Sequence, residues 1–325
     1  MDPIATQVLT HVAQMKKSIL QNGRLLPALE ASLAEEFDVH GLWNEQDPHT
    51  FLQRHGAAFS GLVTSAPVGA NAELIHALPK LEVISSFGVG FDKIDLDAAK
   101  RRGIRVSYTP DVLNECVADL AFGLLIDVAR GISAADRYVR RGDWLNGRFP
   151  VMSRVSGKRL GIVGLGRIGQ AIVKRAGGFD MEVAYMNRKP APAPYRFEPS
   201  LAALAEWADF LVVAVAGGES TKGLISREIL AALGPSGFLI NVSRGTVVDE
   251  GALVDALRGR AIAGAGLDVF ENEPHVPAAL LGLDNVVVLP HIASGTAETR
   301  GAMADLVLAN LRSYFSTGEL ITPLI

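Results

Sequence analysis

The most constraining stretch of this chain is Arg159-Leu160-Gly161-Ile162-Val163-Gly164-Leu165-Gly166-Arg167-Ile168-Gly169-Gln170. Residues 160–163 form a short apolar run that ends at a glycine, the pattern of a strand buried on both faces of a parallel sheet. Gly164, Gly166 and Gly169 then supply G-x-G-x-x-G. The spacing predicts a helix that starts inside this motif and runs on through Ala171, Ile172, Val173 and Ala176. Each glycine has its own physical reason: Gly164 permits a tight turn, Gly166 lets the backbone approach a pyrophosphate, and Gly169 lets helix and strand pack closely. The N–H groups of Leu165, Arg167 and Ile168 are expected to be free at the helix N-terminus, where an anion is stabilised. A glycine-rich turn alone would show the same letters. Strand, glycines and helix in this order are what a dinucleotide site requires.

The chain has 325 residues, enough for two domains with sizeable cores. Its net charge of −4 argues against a nucleic-acid partner. No apolar run approaches the ~20 residues of a membrane span, so no membrane partner is expected either. Met1-Asp2-Pro3-Ile4 lacks the basic region and apolar core of a signal peptide. Cys116 is the only cysteine, which rules out an internal disulfide and a thiolate metal site and fits a reducing cytoplasm. No metal is expected. In its apolar, helix-like surroundings Cys116 reads as a structural thiol rather than a nucleophile.

Residues 1–108 alternate strand-like and helix-like pieces. Strands are expected at 7–13, 39–43, 61–64, 83–86 and 106–108, and helices at 25–37, 71–78 and 96–102. This is the pattern of a small α/β domain with a parallel sheet. Within it, Ser85-Ser86-Phe87-Gly88-Val89-Gly90-Phe91-Asp92 places two glycines after a strand's carboxyl end, where α/β folds bind ligands. The N–H groups of Val89 and Gly90 are candidates to hold a carboxylate; a turn that only reverses the chain is the alternative. Residues 111–131 read as a long helix, with Pro110 before it and Gly131 ending it. It is apolar nearly all round, so burial between domains or at a subunit contact is expected. Residues 141–149 read as an exposed loop carrying Trp144, which a partner chain would bury.

A second α/β unit begins at Leu160. Its second strand, 182–186, ends in Asn187-Arg188-Lys189. An NAD-binding fold places an acidic residue about 20 residues beyond the glycines, to hold the ribose 2′-hydroxyl. Here two cations stand in that place, which would attract a 2′-phosphate. The expected cofactor is therefore NADP, with NAD also possible; a plain solvated basic turn is the alternative. Strands are expected at 210–216, 237–242, 263–269 and 285–289, with helices at 201–208, 227–233 and 250–258 between them. The alternation indicates a doubly wound parallel sheet. Residues 296–315 form a final long helix that returns the chain to the first domain. The fold class is thus α/β: two Rossmann-like domains, 1–108 with 293–325 and 109–292, and an active site in the cleft between them.

Three segments at the ends of the late strands carry candidate chemistry: Asn241-Val242-Ser243-Arg244-Gly245, Gly266-Leu267-Asp268-Val269-Phe270-Glu271-Asn272-Glu273-Pro274 and Pro290-His291-Ile292. Taken singly, the arginine suits a surface ion pair, the histidine a structural role and Glu273 a turn cap. Together with the glycine motif they resemble the D-isomer-specific 2-hydroxyacid dehydrogenase family, over essentially the whole chain. Within it the glyoxylate/hydroxypyruvate reductases are most similar, partly through Phe87–Asp92 and the basic turn. The resemblance implies that Arg244 holds the carboxylate of a small 2-oxoacid and polarises its keto oxygen, as its forked donors suit. It implies that His291 donates a proton to that oxygen, and that Glu273 pairs with His291 and raises its pKa. It further implies that Asp268 contacts the nicotinamide end, that Val242 meets the cofactor through its backbone, and that Val89 and Gly90 bind the substrate carboxylate. A homodimer is implied, with the long helix and its following loop helping to pair.

Residues 213–220 depart from the family, because Val215, Ala216 and two glycines replace a loop with histidine and proline. Ala216 can still pass close to a cofactor ribose, and the glycines add backbone freedom. Two other readings remain: a dehydrogenase for a different 2-hydroxyacid, such as phosphoglycerate or an aryl pyruvate, and a dinucleotide-sensing corepressor on the same fold. The lack of an added regulatory domain disfavours the phosphoglycerate reading. Phe91, Trp144 and Phe149 could line an aryl pocket. The chain's end soon after the last helix disfavours the corepressor.

Overall fold

The computed structural model describes residues 16–325, so the strand expected at 7–13 lies outside the described residues. The chain divides into two compact units. One holds the described residues up to Thr109 together with Ala304–Ile325, and the other holds Pro110–Met303. The sequence places the return of the chain at residue 293, whereas the division falls at 303/304, inside one continuous helix.

The first unit runs β1 (Ser18–Gln21), α1 (Pro27–Glu36), β2 (Asp38–Gly41), α2 (Pro48–His55), β3 (Gly61–Ser65), α3 (Ala72–His76), β4 (Val83–Phe87), α4 (Leu96–Arg101) and β5 (Arg105–Ser107). Its strands pair in parallel in the order β2-β1-β3-β4-β5, a flavodoxin-like arrangement. β3 and β4 are buried along their whole length, as strands covered on both faces must be. β1 escapes sequence reading because Lys16 and Lys17 precede it and only its last three residues are buried. Helix α2 is missed because none of its residues is buried, so it shows no apolar stripe.

The second unit opens with α5 (Asn114–Arg130) and α6 (Ile132–Arg140) and continues with β6 (Arg159–Val163), α7 (Arg167–Ala176), β7 (Glu182–Met186), β8 (Arg196–Phe197), α8 (Leu201–Trp207) and β9 (Phe210–Val213). It then runs through α9 (Arg227–Leu233), β10 (Phe238–Asn241), α10 (Glu250–Arg258), β11 (Gly264–Leu267), α11 (Ala278–Leu281) and β12 (Val286–Val288) to α12 (Ala297–Thr317), which crosses the division. The strand order is β12-β11-β10-β9-β6-β7-β8, all parallel. Chain direction across the sheet reverses between β6 and β9, the switch point where doubly wound folds bind dinucleotides.

Helix α5 corrects one expectation. It is one-sided rather than apolar all round: Val117, Ala121, Leu124, Leu125 and Val128 are buried, while Glu115, Asp119 and Gly123 face outward. Its buried face packs on α7 and on β10, β11 and β12 of its own unit. Gly131 ends it in a left-handed turn with φ 61°, and a Cβ there would press on Phe149 and Met152. Among the described residues no helix is long and apolar enough to cross a membrane.

Candidate active site

The glycine motif folds as its spacing predicts. Gly164 has φ 100° immediately after β6, a conformation that side-chain residues resist. A Cβ on Gly169 would overlap the carbonyl oxygen of Gly164, so α7 can start this close to β6 only without one. A Cβ on Gly166, by contrast, would meet nothing within 4 Å. The backbone there faces open space, as a loop that must admit a pyrophosphate requires. The residues at this turn therefore fit a dinucleotide.

One N–H expected to be free is not. Leu165 N–H donates to Asn187 Oδ1 at 2.7 Å, so the asparagine at the end of β7 braces the glycine turn. That bond brings the basic turn Asn187-Arg188-Lys189 beside the motif, with Arg188 and Lys189 exposed. The guanidinium of Arg167 pairs with Asp111 at 3.0 Å. Val215 also lies at the turn: a Cβ on Gly164 would be 2.8 Å from its Cγ1. Thr221 Oγ1 donates to the carbonyls of Ala216 and Gly218 at 2.8 and 3.1 Å, which pins the loop despite its glycines.

The chemistry-bearing residues follow β10, β11 and β12, at their carboxyl ends. After β10, Asn241 is 1% exposed and shapes the turn. Its Oδ1 accepts Ser243 N–H at 3.0 Å and its Nδ2 donates to the Arg244 carbonyl at 2.9 Å. Asparagine favours this local bonding, the signal by which it could have been singled out. Val242 is buried beside it, and Arg244, half-buried, donates from Nη1 to the Ser243 carbonyl at 2.7 Å. A Cβ on Gly245 would overlap the peptide between Phe270 and Glu271. Glycine is thus needed for room, and that close approach brings the Arg244 segment against the loop carrying Glu273.

Glu273 uses both oxygens. Oε1 accepts Phe270 N–H at 3.1 Å and Oε2 faces His291 Nδ1 at 2.8 Å, with both side chains about one-third exposed. Burial alone would raise the Glu273 pKa. The hydrogen bond and charge of His291, the Phe270 N–H and the charge of Arg244 outweigh it and hold the carboxyl below its ordinary 4.5.

His291 has φ 53°, a left-handed conformation uncommon for a residue with a side chain. Asp268, 0% exposed, maintains it. The Asp268 carbonyl accepts His291 N–H at 2.9 Å, and its two carboxylate oxygens accept the N–H groups of Ile292 and Ala293 at 2.7 and 2.9 Å. Burial pushes the Asp268 pKa up, against the pull of these two N–H groups. The sequence reading gives Asp268 a direct cofactor contact. The structure shows a covered carboxylate that holds the His291 loop. Cys116, at the start of α5, donates its thiol to the Ala293 carbonyl at 2.9 Å, a structural role.

Val89 and Gly90 lie in the first unit on the loop after β4 and are half-buried. Gly88 N–H donates to Thr109 Oγ1 at 3.0 Å and Ala66 N–H to the Phe87 carbonyl at 3.1 Å, which fixes the base of that loop. The positive φ of Gly88, 141°, turns it.

An α/β unit with a glycine turn fit for a dinucleotide and a histidine–glutamate pair beside an arginine fits a nicotinamide-dependent dehydrogenase of 2-hydroxyacids. The family model described as "D-isomer specific 2-hydroxyacid dehydrogenase, NAD binding domain" matches residues 122–293. The chain belongs to this family. It is 48% identical over 298 residues to glyoxylate/hydroxypyruvate reductase A of Arabidopsis thaliana, covering 91% of this chain and 95% of that one. It is 49% identical over 298 residues to hydroxyphenylpyruvate reductase of Plectranthus scutellarioides, with the same coverage. Among solved structures, the NADPH-dependent glyoxylate/hydroxypyruvate reductase of Sinorhizobium meliloti, in complex with NADP and malonate, superposes with a TM-score of 0.88. It is 43% identical and covers 95% of this chain and 97% of its own.

The lowered Glu273 pKa fixes the sign of a pH effect. Stability from an ionised Glu273 is present above its unfolded value of 4.5 and is lost as pH falls through the lower native value. In thermal melts Glu273→Gln should lower Tm at neutral pH, and the gap to wild type should close below pH 4.5. A gap that persists unchanged in acid contradicts the pairing.

Proposed function

We propose that this protein reduces small 2-oxoacids to 2-hydroxyacids, glyoxylate to the achiral glycolate and hydroxypyruvate to the D-2-hydroxyacid, with NADPH preferred over NADH. The observation that carries the reading is the 2.8 Å contact between His291 Nδ1 and Glu273, in a site that also holds Arg244. With Nδ1 turned to the carboxylate, Nε2 is the nitrogen left for a substrate. A protonated ring then donates from Nε2 to the keto oxygen while Glu273 stabilises its charge. Arg244 holds the substrate carboxylate through paired donors and polarises the keto group. In the first unit, the N–H groups of Val89 and Gly90 are donors suited to a carboxylate. The nicotinamide cofactor, when bound, supplies the hydride that reaches the keto carbon.

Leu165, Gly166, Arg167, Ile168 and their flanking glycines serve as the pyrophosphate site in this reading. Val215, Ala216 and Val242 serve as backbone walls for the rest of the cofactor. Arg188 and Lys189 serve as the 2′-phosphate site, with Asn187 bracing the turn between. The named relatives act on substrates of different size, glyoxylate and hydroxypyruvate in one case and a hydroxyphenyl compound in another. The small-substrate reading follows the reductases with NADP or glyoxylate in their names.

The working form proposed is a homodimer in a reducing cytoplasm. After α6 the chain exposes Trp144 at 67% and Leu145 at 91%, with Val139 and Val151 also open. Apolar groups this exposed on one arm suit burial by a second copy. Light scattering should show a dimer that Trp144→Asp with Leu145→Asp converts to monomer; a wild-type monomer would overturn this part.

His291→Ala should lower kcat for NADPH-dependent glyoxylate reduction by roughly 10²–10⁴-fold; wild-type turnover would reject the acid role. Arg188→Ala with Lys189→Ala should raise KM for NADPH and leave that for NADH nearly unchanged. Equal effects on both cofactors would remove the 2′-phosphate assignment.

A further inference from the structure

The loop that carries Glu273 is held from outside by a residue with no role so far. Two successive N–H groups on this loop, those of Phe270 and Glu271, are both taken by glutamates. Phe270 N–H goes to Glu273 Oε1 at 3.1 Å, within the loop. Glu271 N–H goes to Glu250 Oε2 at 3.2 Å, from the first residue of α10. Helix α10 is itself fixed by its cap, since Asp249 Oδ1 accepts Ala252 N–H at 2.9 Å. The peptide that Glu250 grips is the one against which Gly245 is packed so closely that a Cβ would overlap it. The short segment from Arg244 to Glu250 therefore presents the arginine at one end and clamps the Glu273 loop at the other.

We infer that Glu250 is a positioning residue for the acid–base pair: its carboxylate fixes the Phe270–Glu271 backbone, which fixes the Glu273 carboxylate against His291 Nδ1. The proposal rests on the assignment of Glu273 and His291 as that pair. What matters at residue 250 is an acceptor oxygen at glutamate's reach, more than its charge. Loosening the loop leaves the Arg244 side chain and the glycine turn in place. The effect should therefore fall on kcat and spare KM for substrate and cofactor.

Two substitutions separate reach from charge. Glu250→Asp keeps an acid in the first turn of α10 but retracts it by one methylene. Glu250→Gln keeps an acceptor at the same reach without the charge. In NADPH-dependent glyoxylate reduction, Glu250→Asp should lower kcat about tenfold, the scale of one lost hydrogen bond, with KM little changed. Glu250→Gln should restore kcat to near wild type. In a Glu273→Gln background, Glu250→Asp should cause no further loss, because its route of action is gone. Wild-type kcat in Glu250→Asp, or a loss that simply adds to that of Glu273→Gln, overturns the proposal. Should the aspartate variant fail to fold, Glu250→Ala, which removes the acceptor of the Glu271 N–H, takes its place: a lowered kcat with KM spared supports the proposal and wild-type kcat overturns it. His291→Ala separates the two levels. If it is inactive while Glu250→Asp is normal, only the role of Glu250 fails; if it is fully active, the acid–base assignment itself fails.

Discussion

A carboxylate and an imidazole 2.8 Å apart are the contact on which this site depends. Neither group reaches the other through its own strand. His291 follows β12 and Glu273 lies in the loop after β11, so the distance between them is set by backbone between strand ends. Asp268 sets one side, gripping three consecutive N–H groups from His291 to Ala293 and holding the histidine in a left-handed conformation. Such a conformation costs of order 1–3 kcal/mol and persists only where its surroundings over-determine it. Gly245 sets the other side by admitting the Phe270–Glu271 peptide where any side chain would collide. The charge balance follows from that geometry: Glu273 stays ionised because a histidine, an N–H and an arginine outweigh its burial.

The nucleotide end obeys the same rule with different parts. A glycine with φ 100° turns the chain, a second leaves open space, and a third lets α7 begin against β6. What holds that turn is a side chain from the next strand, Asn187. An aspartate at that position would put a negative charge beside the turn, where a 2′-phosphate would be repelled. Asparagine can brace the glycine loop without that repulsion, while Arg188 and Lys189 supply positive charge alongside.

Much of this was legible in the sequence. The strands expected at 160–163, 210–216 and 237–242 announce themselves as apolar runs and form at 159–163, 210–213 and 238–241, and α9 and α10 coincide with the helices expected at 227–233 and 250–258. The glycine motif and the segments around Arg244, Glu273 and His291 could be picked out because their residue types are chemically distinctive. What the letters hid was reciprocal. The Leu165 N–H looked free because its partner lies on another strand, and nothing local in the sequence says that Asp268 is wholly covered. Glu250 stands in the sequence only as the first residue of the helix expected at 250–258. β1 and α2 were invisible for a simpler reason: too few of their residues are buried to leave a pattern.

The central claim is that this arrangement directs a hydride to the keto carbon of a 2-oxoacid while His291 supplies the proton. The most direct measurement uses NADPH deuterated at C4 of the nicotinamide, on the face the protein uses, with glyoxylate in ordinary water, and follows the product by NMR. The account predicts glycolate carrying one deuterium at C2. No glycolate, or glycolate formed without deuterium from either labelled face, would contradict it.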